Sequence, residues 1–293
     1  MRIATWNVNS IRTRAPRVVD WLVREDVDVL AMQEIKCRPD QFPREAFERA
    51  GYRLEIHGLN QWNGVAFASR HEMTEVAHGF AGMPGFGAAV KGQESVQGTG
   101  PNGLPLEARA LGVTLGDLRL WNLYVPNGRA LDDPHFRYKL DWLAALRTAV
   151  DGWLAAHPEL PLALMGDFNI APLPSDMGDP SFAEGRSTHV SPEEREAFAA
   201  FSPALTDLVR PLAPEGYTFW DYTQLRFPRN EGMRIDFILG SASLAEAVTA
   251  AAIHRDERKG DGPSDHVPVV CDIDPSLLGD AFDDEDDLPM IFG

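Results

Sequence analysis

The feature that most constrains this chain is a repeated one. Short apolar runs, long enough to be buried strands, keep stopping at a carboxylate or an amide. Asn7 and Asn9 end the run Arg2–Val8, Glu34 follows Val27–Gln33, and Asp167 and Asn169 follow Leu162–Met165. Asp236 lies inside Arg234–Leu239, and Asp265 and His266 open onto Val267–Asp272. Gly64–Ser69, Leu111–Leu115 and Arg119–Tyr124 read as further strands, with Gly116-Asp117 as the hairpin turn between the last two. A buried strand that finishes in a polar residue delivers it to a sheet edge, where sites form. Any one such Asp or Asn is more readily a turn former or a helix cap. The set departs from that reading, and so does Asp236, because an acid within an apolar strand is costly to bury unless it is paired.

Between the strands run amphipathic segments. Pro134–His157 carries Phe136, Leu140, Leu143, Leu146, Val150 and Leu154 at spacings of three and four, which predicts a helix. Arg14–Arg24 and Pro192–Phe201 read as helices too. No repeat or linker interrupts this alternation, so residues 1–273 are expected to form one α/β domain. Residues 81–106, rich in Gly, Pro and Gln, read as a long surface loop, and 274–293 as an acidic, disordered tail.

Composition narrows the function. No run of apolar residues is long enough to span a membrane, and the first residues lack the features of a secretory signal. The two cysteines, Cys37 and Cys271, make neither a disulfide framework nor a zinc spacing, which fits a reducing cytoplasm. The net charge of −17 argues against a nucleic-acid partner, but eight of the acids lie beyond Cys271 with no base among them. Residues 1–271 then hold 36 acids against 27 bases, which predicts modest affinity for a polyanion and a need for metal to offset repulsion.

Several oxygen ligands and one histidine, with no cysteine cluster, suit Mg²⁺ or Mn²⁺ rather than zinc. Ser264-Asp265-His266 holds three triad residue types, but adjacent residues cannot converge as nucleophile, base and orienter. Neither a Gly-x-Ser-x-Gly elbow nor a Gly-x-x-x-x-Gly-Lys phosphate loop occurs.

Eight segments, in order, resemble the exonuclease III family of abasic-site endonucleases, within the endonuclease/exonuclease/phosphatase superfamily. They are Trp6-Asn7-Val8-Asn9, Gln33-Glu34-Ile35-Lys36, Asn63-Gly64-Val65-Ala66 and Tyr124-Val125-Pro126-Asn127-Gly128, followed by Gly166-Asp167-Phe168-Asn169, Tyr217–Tyr222, Arg234-Ile235-Asp236 and Ser264–Pro268. The resemblance implies a four-layered α/β sandwich, two packed mixed β-sheets flanked by helices. It implies Mg²⁺, or Mn²⁺, held by Glu34 and Asn7 with Asp265, and in the wider ligand set Asp167, Asn169 and His266. Asp167 would orient and deprotonate the attacking water, with Asn169 fixing its neighbourhood. His266 would stabilise a phosphoryl oxygen, Asp236 would hold the imidazole, and Tyr124 would contact the scissile phosphate. Asn127 and Arg129 would meet the duplex. Phe219 and Trp220 would form the pocket or wedge for a baseless sugar, beside Met233, which stands where the family often has Trp.

The implied activity is incision 5′ to abasic sites in duplex DNA, with 3′→5′ exonuclease and 3′-phosphatase work, by a monomer. A phosphodiesterase for a lipid or small soluble phosphate ester is the alternative. A catalytically dead scaffold is a further one, though none of the site residues is missing. Gln224–Pro228 and Leu288–Phe292 resemble peptides that dock on DNA sliding clamps.

Overall fold

Period-two alternation decides the architecture, because each central strand has two apolar faces to bury. In the computed structural model, which describes residues 1–182 and 185–278, strand β1 (Arg2–Asn7) turns Ile3 toward one core and Ala4 and Trp6 toward another. Strand β2 (Val29–Gln33) does the same, with Val29 and Ala31 on one side and Leu30 and Met32 on the other.

β1 and β2 pair in parallel at the centre of a six-stranded sheet. β3 (Arg53–His57) and β4 (Val65–Ser69) extend it on one side, β11 (Val248–Ile253) and β12 (Val269–Ile273) on the other. The second six-stranded sheet runs β5 (Thr74–His78), β6 (Ala110–Leu115), β7 (Leu118–Tyr124), β8 (Leu162–Asp167), β10 (Asp236–Gly240), β9 (Thr206–Asp207). Its centre is again one parallel pair, β7 with β8.

The inner faces meet in a core of Ile3, Val29, Phe67, Leu120, Met165 and Ile238. Helices α1 (Ile11–Arg24) and α2 (Arg44–Arg49) cover the outer face of the first sheet. Helices α4 (Pro134–Ala156) and α5 (Pro192–Ala199) cover that of the second. The result is the expected four-layered sandwich. Short helices α3 (Glu94–Gln97), α6 (Arg226–Arg229) and α7 (Ala242–Glu246) sit in connections.

Each parallel pair is joined through a helix, α1 or α4, and the contact between Asn7 and Asp167 shows that both pairs finish at the same end of the sandwich. β1 aligns Asn7 with Gln33, and β7 aligns Tyr124 with Asp167. β10 runs antiparallel to β8 and sets Asp236 directly opposite Asp167. One glycine is demanded here. Gly166 has φ +153°, and a Cβ on it would lie 1.9 Å from the carbonyl oxygen of Leu123.

The eight strands expected from sequence are present. Four more, β3, β5, β9 and β11, were not expected, and they are the four edge strands of the two sheets. The 81–106 loop contains α3 and a bridge between Thr99 and Pro105, and the Gln97 amide ties it together by hydrogen bonds to Val90 and Leu106. At the other end the packing continues past 273, with one 3₁₀ turn at Pro275–Leu277 and Leu278 buried in the inter-sheet core. The remainder of the acidic segment, with Leu288–Phe292, lies outside the described residues. Among the described residues, no helix is long and apolar enough to cross a membrane.

Burial pushes the thiol of Cys37 up to about 11 and that of Cys271 up to about 12. Neither thiol should react with an aromatic disulfide reagent at pH 8 in the native protein, and both should react in denaturant. Stoichiometric labelling of the folded chain would contradict this packing.

Candidate active site

The polar residues that end the central strands of both sheets converge at one place. The Asn7 amide nitrogen donates to Glu34 Oε1 at 2.8 Å and to Asp167 Oδ2 at 3.0 Å, joining the two sheets. Its oxygen accepts from the backbone N–H of Asn9 at 3.0 Å. His266 contacts Asp236 Oδ2 through Nδ1 at 2.8 Å and lies 3.8 Å from Asp167 Oδ2 through Nε2. Asp236 is fully buried, and its role as partner to the imidazole explains an acid within an apolar strand. Glu34, Asp167 and His266 offer ligand atoms all within 4.8 Å of one another, the only such cluster among the described residues.

The surrounding polar groups hold this arrangement. Asn169 donates to the Val125 carbonyl at 2.9 Å and accepts from Asn127 at 3.1 Å, so its amide braces the loop after β8 against the loop after β7. Asp265 accepts from the side chain of Asn9 at 3.0 Å, beside the cluster rather than within it. Tyr124 is half-buried beneath the Arg109 guanidinium, 4.8 Å from the ring centre. Glu34 and Asn169 have φ values of 50° and 53°, a left-handed backbone that costs side-chain-bearing residues energy and concentrates at functional sites.

Burial, reinforced by the charges of Asp236 and Glu34, raises Asp167 to about 7 against the opposing pull of His266. For His266 burial works against the charge, but Asp236 and Asp167 outweigh it and raise the imidazole to about 10. The ring is therefore an imidazolium at neutral pH, a donor clamped between two acids. Burial also pushes up the Tyr124 phenol, with Glu34 adding to it, so the hydroxyl stays protonated.

A cavity of about 330 Å³ opens onto the cluster. Tyr124, Asn127, Arg129, Phe219 and Met233 line it with the acids. Phe219 packs its ring 4.9 Å from that of His266. Trp220 departs from expectation. It is fully buried, edge-on to Phe227 at 5.1 Å and under the Arg255 guanidinium, so it packs in the core and does not line the cavity. The reason is alternation: Phe219 bridges to Met233 on the cavity side, and its neighbour faces the other way. Phe227 of the Gln224–Pro228 segment is held by the same packing, 4.3 Å from Arg255, while Gln224, Leu225 and Pro228 are exposed. Roomier hollows of about 610 and 630 Å³ lie around Trp153 and Glu159, at the opposite ends of these strands, with no such cluster.

Two participants escaped the sequence reading. Lys36 contacts Glu34 Oε2 at 2.7 Å and Asn9 Oδ1 at 2.6 Å; its place in Gln33-Glu34-Ile35-Lys36 was the only signal. His189 is buried with φ 72°, lines the cavity, and contacts the Asn169 carbonyl at 2.5 Å. Behind it lies a fully buried ion pair, Lys139 with Glu194. Lys139 also donates to the Asn169 carbonyl at 2.6 Å, and Glu194 accepts from the His189 N–H at 3.0 Å and from Thr188 at 2.9 Å. Lys139 and these hydrogen bonds overcome burial and hold Glu194 below its usual range. Lys139→Met should therefore lower stability by about 3–5 kcal/mol, because it strands a buried carboxylate. The check is a urea midpoint that falls at unchanged slope; an unmoved midpoint would contradict the brace.

The sequence profile of the Endonuclease/Exonuclease/phosphatase family matches residues 4–266. Exodeoxyribonuclease III of Haemophilus influenzae is 29% identical over 284 residues, covering 93% of this chain and all of that one. A 3′ phosphatase from Neisseria, solved bound to a product DNA hairpin, superposes with TM-score 0.81 at 35% identity, covering 94% of this chain and 99% of that one. An AP endonuclease from Archaeoglobus fulgidus gives TM-score 0.79 at 31% identity, covering 94% and 99%. With two thirds of both chains exceeded at these identities, and the profile spanning nearly the whole domain, this chain belongs to the endonuclease/exonuclease/phosphatase family, on its exonuclease III branch.

Proposed function

We propose that this enzyme is a DNA-repair phosphodiesterase that hydrolyses the P–O3′ bond of damaged or blocked strands in the presence of Mg²⁺ or Mn²⁺. The observation that carries the reading is the convergence of Glu34, Asp167 and the Asp236-held His266 at the shared end of both sheets. The three named relatives are an exodeoxyribonuclease III, a 3′ phosphatase and an AP endonuclease, and one bond cleavage would serve all three activities. Exonucleolysis, removal of a 3′-phosphate and incision 5′ to an abasic site all break P–O3′ and leave a 3′-hydroxyl.

Oxygen donors suit a hard divalent cation. Glu34 would hold it, with Asp265 and the Asn7 amide beside it, and a bound ion would supply Lewis-acid polarisation of the phosphoryl oxygen. The chain's own groups do the rest. Asp167, raised toward neutrality, orients the attacking water and accepts its proton. The His266 imidazolium donates through Nε2 to a non-bridging phosphoryl oxygen as charge builds there. Asp236 fixes the ring, Tyr124 contacts the phosphate, and Asn169 keeps the Asp167 loop in place. Asn127 and Arg129, both exposed at the rim, meet the DNA backbone. Phe219 and Met233 offer an apolar wall to a sugar without its base. Of the possible substrates, 3′-blocked ends gain weight from the Neisseria relative, whose identity to this chain is 35% against 31% for the AP endonuclease.

Two duplexes test this, one with a 3′-phosphate at a nick and one with a tetrahydrofuran abasic analogue. Phosphate release or incision should require Mg²⁺ or Mn²⁺ and stop with chelator. Glu34→Gln and Asp167→Asn should each lower the rate by about 100-fold or more. No cleavage of either duplex at micromolar enzyme would overturn the DNA reading in favour of a small phosphate ester.

A further inference from the structure

A second hollow, of about 470 Å³, adjoins the reactive cavity and shares Tyr124, Asn127 and Arg129 with it. Its far wall is Trp62, which is 72% exposed. An exposed indole on a surface loop forgoes a large burial gain, and this one shares its hollow with Phe86 and Tyr124 rather than standing alone. This one is not on a loose tip. The Trp62 N–H donates to Asn60 Oδ1 at 2.9 Å, and the next residue's carbonyl accepts from the Lys36 N–H at 3.0 Å. Gly64 closes the root, where φ is +104° and a Cβ would lie 2.6 Å from Ile35. Trp62 is thereby fixed relative to Glu34, two residues from the Lys36 anchor. Phe86 lines the same hollow, held 4.7 Å from the Tyr138 ring.

We propose that this hollow is a nucleobase subsite, and that Trp62 stacks on the base of an unpaired nucleotide next to the scissile phosphate. The inference rests on the DNA reading and specifies which strands the enzyme prefers. The occupant follows from the walls. Aromatic faces accept any base without reading its sequence, the Arg129 cation suits the adjoining phosphate, and the volume falls within the range of small-ligand pockets, about 300–1,000 Å³. Continuity through Tyr124 and Arg129 places the base one nucleotide from the reaction. A base inside a helix presents only its edges, and a paired terminal base is tied to its partner, so entry into this hollow requires a frayed or mismatched end.

The experiment uses the full chain carrying Asp167→Asn, with Mg²⁺ present, and two duplexes whose 3′-terminal nucleotide is 2-aminopurine, paired in one and mismatched in the other. The mismatched probe should be quenched on binding. Adding Trp62→Ala should abolish the quenching and weaken binding of that duplex on the order of 10-fold, with the paired duplex little changed. Trp62→Phe should restore most of the loss. Equal affinity with and without Trp62→Ala, or the same loss on both duplexes, would overturn the subsite. If the parent bound neither duplex, the DNA reading would fall, and the subsite with it.

Discussion

Two sheets packed through an apolar interface could slide, and buried amides prevent it here. Gln33 Nε2 donates to Asn122 Oδ1 at 2.8 Å across the interface, and the Asn122 amide returns two hydrogen bonds, to the carbonyls of Met32 and Ala66. A one-residue slip would strand these donors in a dry interior, and each unmet group costs about 1–3 kcal/mol. The sheets are thus locked in one register close to their C-terminal end. Just beyond, Asn7 links Glu34 of the first sheet to Asp167 of the second. Neither sheet alone contains the site, so its geometry is only as precise as that register.

The same logic explains the supporting charges. Asp167 and Asp236 face each other across β8 and β10, which would repel two carboxylates. His266 enters from the loop before β12 and contacts both. Its positive charge stabilises the pair, and they in turn keep the ring protonated. On the outer side, Lys139 from α4 and Glu194 from α5 clamp the His189 loop and the Asn169 carbonyl. The left-handed residues Glu34, Asn169 and His189 stand where these anchors meet, so packing elsewhere offsets their strain.

Much of this was legible in the sequence because the central strands are buried on both faces. Val29–Gln33 and Leu162–Asp167 announce themselves as apolar runs, and their terminal acids as departures from apolarity. The edge strands were not legible for the opposite reason. In β5, Thr74, Glu75 and Val76 are all exposed, and β9 is two residues long, so neither carries an alternating pattern. Phe219 and Trp220 could not be told apart in the sequence because a motif conveys residue type and not direction; the Phe219–Met233 bridge shows which aromatic faces the cavity. Lys139 was hidden for a similar reason. A lysine in an amphipathic helix reads as solvent-facing, and nothing local discloses that Glu194, far along the chain, meets it inside.

If the residues ending both sheets' central strands build one cation-dependent phosphoryl-transfer site, metal and phosphate must bind there together. Anomalous diffraction from crystals soaked in Mn²⁺, with and without a 3′-phosphorylated duplex, tests it directly. The expected result is a manganese peak coordinated by the Glu34 carboxylate, with the terminal phosphate between that ion and the His266 imidazole. A peak elsewhere on the chain, or a phosphate bound away from His266, would contradict a shared site.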